Sequence, residues 1–178
     1  MDRQQFWQLI GAAREEASDP DDAEAVARRA ASLLAAHPAE EIAAAQQVLW
    51  DLMAESYTNP LWAAAHVVNG GCSDDGFDYF RGWLIAQGRE VFERTVADPD
   101  ALAEVPLVRA SASDGFELDG EDVLGIASDA HVIATGSQLP APAFTVRYPP
   151  LDPAWDFDFD DPGEMARRLP RLAALHPE

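Results

Sequence analysis

NGGCSDDGFDYFRGWLIAQG, residues 69–88, decides how the chain is read. The paired glycines Gly70 and Gly71 close the helix before them, because glycine enters left-handed backbone angles without a Cβ clash. Ser73 or Asp74 then caps a second helix, and Phe77, Phe80, Leu84 and, one step round, Trp83 recur along it at helical spacing. The stretch predicts a tight helix-loop-helix packed inward on aromatic rings. Arg81 falls at the border of that apolar face, four residues after Phe77 and three before Leu84. A buried guanidinium needs a carboxylate, so the spacing predicts an ion pair with Asp78 or Asp74 that clamps the loop; the alternative role for the same arginine is an anion hook.

Working outward, Asn59-Pro60 signals a helix start with Asn59 as its cap, and Leu61, Trp62, Ala65 and Val68 lie on its apolar side. Towards the N-terminus, Asp2 and Gln5 form a capping-box pattern ahead of Phe6, Leu9, Ile10 and Ala13. Asp19-Pro20 predicts a second helix burying Val26, Ala30, Leu33 and Leu34, closed by His37-Pro38. Ile42, Ala45, Leu49, Leu52, Met53 and Ser56 give the third helix the longest amphipathic run, and its alanines favour a helical bundle over a sheet.

Beyond the central stretch, Gly88 interrupts the helical run, Val91, Phe92 and Val96 resume it, and Asp98-Pro99-Asp100 starts another element. Pro106, Gly115 and several serines make 104–118 read as a surface loop. A helix over 120–135 should bury Val123, Leu124, Ala127, Ala130 and Ile133 or Ala134, with Gly136 as its stop. The expected architecture is all-α: a compact multi-helix domain over 1–136, then a proline-rich, acidic-aromatic C-terminal extension over 137–178. Within the extension, WDFDFDD at 155–161 alternates aromatic and acidic residues and is expected to pack onto its own domain, ahead of a short terminal helix.

Composition narrows the functional classes. The chain has 178 residues, 32 acids and 12 bases, and every base is arginine. The net charge of −20 divides as −9 over 1–97, −13 over 98–164 and +2 over 165–178. Phosphate neutralisation needs a basic surface, so nucleic acid is disfavoured as a partner, and an anionic membrane would not attract this surface. The acidic surface fits two readings, plain solubility or complementarity to a basic protein partner. A single cysteine, Cys72, excludes an internal disulfide and a multi-cysteine metal site, which agrees with a cytoplasmic location. Its acidic neighbourhood works against a reactive thiolate.

Asp74, Asp75 and Asp78 beside His66, Asn69 and Ser73 offer oxygen and imidazole groups within one helix-loop-helix. The spacing does not match a calcium loop, and His37, His66, His131 and His176 lie too far apart in sequence for a zinc pattern, so neither a metal nor a cofactor is assigned. The chain lacks the GxSxG, HExxH, phosphate-loop and dinucleotide fingerprints. His66, or His131 at the border of its own helix, could pair with Asp74 or Asp78 for acid-base work.

The segment WAAAHVVNGGCSDDGFDYFRGWLIAQGREVFE, with Phe6-Trp7 near the start and Pro99-Asp100 later, resembles a bacterial family catalogued as domain of unknown function 4240. The resemblance covers 1–136. It implies that residues 70–83 form the family signature, and it carries over no catalytic residue. The candidate ligand-binding set is therefore His66, Asn69, Cys72, Ser73, Asp74, Asp75, Asp78, Arg81 and Trp83. The leading functional expectation is a non-enzymatic protein-binding or regulatory module with an acidic surface. The alternative is a small enzyme or ligand-binding protein with its site at the GGCSDDGFDYFRGW motif.

Overall fold

Asp2 opens the first helix through a complete capping box, its carboxylate accepting from the Gln5 N–H and the Gln5 side chain accepting from the Asp2 N–H, both at 2.8 Å. The computed structural model describes residues 1–176, whose regular elements are all helices, with no strand among them. In chain order the longer helices are α1 (Arg3–Glu16), α2 (Ala23–Leu34), α3 (Ala39–Glu55), α4 (Asn59–Asn69), α5 (Asp74–Ala86) and α6 (Arg89–Ala97). A 3-10 turn (Pro99–Glu104) leads to α7 (Pro106–Asp114), α8 (Glu121–Leu124), α9 (Ile126–Thr135), α10 (Pro162–Arg168) and α11 (Pro170–Leu175).

The central element is α5. Phe77, Phe80, Trp83, Leu84, Ile85 and Ala86 are all shut from solvent, and the helix touches α2, α3, α4, α6 and α8. Its approach to α8 is backbone to backbone: a Cβ on Gly82 would stand 2.3 Å from the Gly120 carbonyl oxygen, and one on Gly120 would stand 2.3 Å from the Trp83 nitrogen. The Gly120 N–H donates to the Tyr79 carbonyl at 3.1 Å across the same contact. No side chain fits there, so both positions require glycine.

Several local expectations change. The second helix starts after Asp22, whose side chain accepts from the Glu24 N–H at 2.9 Å, while Asp19 closes a turn by accepting from the Asp21 N–H at 2.9 Å. Thr58, not Asn59, caps α4. The 104–118 segment is largely helical: Pro106 occupies the first turn of α7, where its missing N–H costs nothing, and Val108 is buried. The single helix expected over 120–135 divides at Gly125, with Gly136 ending α9 at φ +73°. Val123, Ala127 and Ala130 are buried as the spacing requires, but Leu124 is half-buried, and Ile133 and Ala134, in the last turn of α9 before Gly136, are exposed.

The extension returns to the same core. Met165, Leu169 and Leu172 join the buried cluster, and Asp100, 7% exposed, accepts from the N–H groups of Arg171 (3.1 Å) and Leu172 (2.9 Å) at the start of α11. Arg171 Nε donates to the same carboxylate at 3.0 Å.

Candidate functional site

Arg81 is fully buried on α5. Its guanidinium bonds to Asp78 and to the Met53 carbonyl, and its Nε donates to the Phe77 carbonyl at 3.3 Å. The cation lies 4.6 Å from the centre of the Phe77 ring and 5.1 Å from that of Tyr57. Burial alone pushes its pKa down, and Asp78 opposes that shift. Of the two partners expected for it, Asp78 makes the pair. The second oxygen of Asp78 accepts from the Tyr148 hydroxyl at 3.2 Å, a contact for which the sequence carries no local signal.

The loop between α4 and α5 is fixed by backbone-directed bonds. Gly70 and Gly71 take φ of +66° and +134°. Asn69 donates to the Leu118 carbonyl at 3.2 Å and accepts from the Leu118 N–H at 3.0 Å, so it holds the chain at Leu118 as a peptide group would. Ser73 supplies the cap of α5, accepting from the Gly76 N–H at 3.1 Å. Trp62 donates to the Cys72 carbonyl at 3.0 Å and stacks on Phe77 at 4.8 Å. Burial pushes the Cys72 thiol up to about 11, with Asp74 and Glu117 adding to the rise and Arg81 opposing it.

Two clefts flank Trp62. One, of ≈ 400 Å³, is lined by Tyr57, Trp62, Asp74, Asp75, Asp78 and Tyr148. The other, of ≈ 610 Å³, opens between α4 and the extension, where Asn59, Trp62, His66 and Cys72 face residues 151–153 and 155–159. Asn59 donates to the Asp152 carbonyl at 2.8 Å, and His66 Nε2 lies 2.8 Å from Asp160 Oδ1. His66 is therefore joined to the extension and lines the larger cleft, whereas Asp74 and Asp75 line the smaller one. His131 is buried, with Nδ1 2.7 Å from the Ser137 carbonyl. Neither histidine pairs with Asp74 or Asp78.

The nine candidate residues thus separate by environment. Arg81 and Trp83 are interior, Asn69 and Ser73 fix the loop, His66 and Cys72 line one cleft, and Asp74, Asp75 and Asp78 line the other. Tyr57, Tyr148 and Asp160 complete these surroundings without having been singled out from the sequence; of them, only Asp160 lay in a motif visible beforehand, WDFDFDD. Among the described residues no group of three or more histidine, cysteine, aspartate or glutamate side chains is placed to hold one metal ion, and no helix is long and apolar enough to cross a membrane.

Comparison with curated proteins and with solved structures returns no match. The model of the family described as "Protein of unknown function (DUF4240)" matches residues 1–132, and the chain belongs to that family.

Proposed function

We propose that this chain is a non-enzymatic cytoplasmic binding or regulatory module that docks a basic protein partner through its acidic surface. The observation that carries the reading is the cleft of Tyr57, Trp62, Tyr148, Asp74, Asp75 and Asp78 beside the central motif, which has three carboxylates and no basic side chain among its lining residues. Arg81, buried on α5, pairs with one of these carboxylates, Asp78. Counting Arg81, nine of the twelve arginines form ion pairs within the chain, so most of the positive charge is matched locally while the excess acid is not. An uncompensated acidic face accelerates encounter with a basic surface and selects for it.

The test is binding of a labelled arginine-rich peptide at increasing sodium chloride. The affinity should fall steeply as the Debye length shrinks from ~10 Å at 0.1 M towards ~3 Å at 1 M. Affinity that is independent of salt, or equal affinity for a glutamate-rich peptide, would overturn the reading.

A second reading, a small enzyme or ligand-binding pocket, is favoured by the His66 and Asp160 pair at the edge of the ≈ 610 Å³ cleft. Thermal unfolding across a panel of divalent metals and small anions separates the two, since ligand binding raises the stability of the folded state. A rise in Tm that disappears in His66→Gln would carry this second reading.

A further inference from the structure

The larger cleft has walls of unusual composition. Trp62 stands on one side, and Trp155, Phe157 and Phe159 on the other, all half-buried, with Phe157 packed edge-on against Phe159 at 5.3 Å. Between these rings the alternating sequence sets Asp156 and Asp158, both exposed and neither ion-paired among the described residues. Rings present a negative π-face, and carboxylates beside them add full negative charge, so the combination attracts a weakly hydrated organic cation. The chain's own Arg168 shows the chemistry at work on this segment. Its guanidinium lies 4.5 Å from the ring centre of Trp155 and 4.6 Å from that of Phe157, and it donates to the Ala154 carbonyl at 3.0 Å. Arg81 repeats it in the core, between Tyr57 and Phe77 and against Asp78. Arg168 is not among the residues that line the cleft; His66 is, and its ring stands edge-on to Phe159 at 5.9 Å.

We infer that the cleft between α4 and the 155–159 segment is a receptor for an arginine side chain of the basic partner, its guanidinium held among Trp62, Trp155, Phe157 and Phe159 and charge-matched by Asp156 and Asp158. The inference rests on the docking reading above and assigns its specificity. Guanidinium is selected over ammonium because its flat, weakly hydrated face stacks on aromatic rings while its edge donates in a fork to carboxylates; an ammonium is a compact, strongly hydrated charge. At ≈ 610 Å³ the cleft has room for the whole side chain and part of the backbone that bears it.

The experiment measures fluorescence anisotropy of three labelled peptides on the full chain: alternating arginine and glycine, its lysine analogue, and its citrulline analogue, which keeps the shape and removes the charge. The order arginine, lysine, citrulline is expected, with the arginine peptide weakened about tenfold by Asp156→Asn combined with Asp158→Asn, and again by Phe159→Leu. The carboxylate variants keep the test independent of folding, since both side chains are exposed and asparagine retains the oxygen with which Asp158 accepts from the Asp160 N–H. Lysine binding as tight as arginine would overturn the guanidinium assignment. Salt-dependent arginine binding unchanged in every cleft variant would overturn the receptor while leaving the acidic docking reading intact. Failure of all three peptides to bind at low salt would remove both.

Discussion

At the scale of single residues, Arg81 shows how costly charge is kept inside the protein. Its side chain is fully enclosed, and its donors are met by Asp78 and the carbonyls of Met53 and Phe77. Removing one partner of such a pair strands the other, so Arg81→Ala should lower unfolding stability by about 3–5 kcal/mol in a urea titration. The double variant Arg81→Met with Asp78→Asn should be more stable than Arg81→Ala alone, because it removes both charges and refills the volume. If the single and double variants unfold at the same urea concentration, the pair is not what holds Arg81 in place. Cys72 gives a test by reactivity. Burial raises its pKa from 9.0 to about 11, so the thiolate fraction at pH 8 drops about a hundredfold below that of a free thiol, and alkylation by iodoacetamide should slow in proportion. The rate should climb as pH approaches the folded pKa, and urea should abolish the protection at pH 8. Alkylation of the native protein at the free-thiol rate would contradict the half-buried setting of Cys72.

At the scale of elements, caps decide where helices begin, and this separates two neighbouring residues of the motif. Ser73→Ala should cost about 1 kcal/mol by losing the bond to the Gly76 N–H. Asp74→Asn, one position later, alters only the favourable charge at the helix start and should cost about 0.3 kcal/mol. Equal losses in chemical denaturation would mean that the cap is shared. The α5 and α8 crossing makes a stronger demand: Gly82→Ala drives a Cβ into the Gly120 carbonyl and should cost about 1–3 kcal/mol, with Gly120→Ala behaving alike. The contrast between these sites explains what was legible in advance. Capping boxes, left-handed glycines and apolar spacing are written within a few residues, so α1, α3, α4 and α5 are legible directly, and the Arg81 partner narrows to Asp78 or Asp74, between which the fold selects Asp78. Pro106 reads as a breaker in the sequence although it begins α7, because proline marks both helix starts and helix ends and the burial of Val108 that settles the matter is not written locally. Nothing local reveals that Gly120 meets Gly82, that Asn69 grips Leu118 or that Asn59 reaches Asp152, since each depends on a chain return of tens of residues. The clefts were invisible for the same reason: their walls come from α4, α5 and the extension together.

At the scale of the whole molecule, the extension joins folding to the proposed recognition. The family match ends at residue 132, yet Met165, Leu169 and Leu172 lie in the core cluster formed by the helices before it. Burying three such side chains contributes about 1.5–3 kcal/mol each, roughly 5–9 kcal/mol in total, against a typical domain stability of about 5–15 kcal/mol. Cutting the chain after residue 136 would also leave the Asp100 carboxylate without Arg171 and the N–H groups of α11. The truncated protein should therefore melt well below the full chain in calorimetry and lose near-ultraviolet dichroism at room temperature. Arg171→Ala isolates the polar part of this attachment. It removes the ion pairs to Asp98, Asp100 and Glu104 but keeps the backbone N–H groups that bind Asp100, so its Tm should fall much less than that of the truncation. This ordering follows from where each contribution lies: the ion pairs are half-exposed and screened by water, whereas the apolar side chains are enclosed. A truncation that melts with the full chain would mean that the 1–136 segment completes its own core, and the cleft between α4 and the extension would then rest on an attachment too weak to build a binding site.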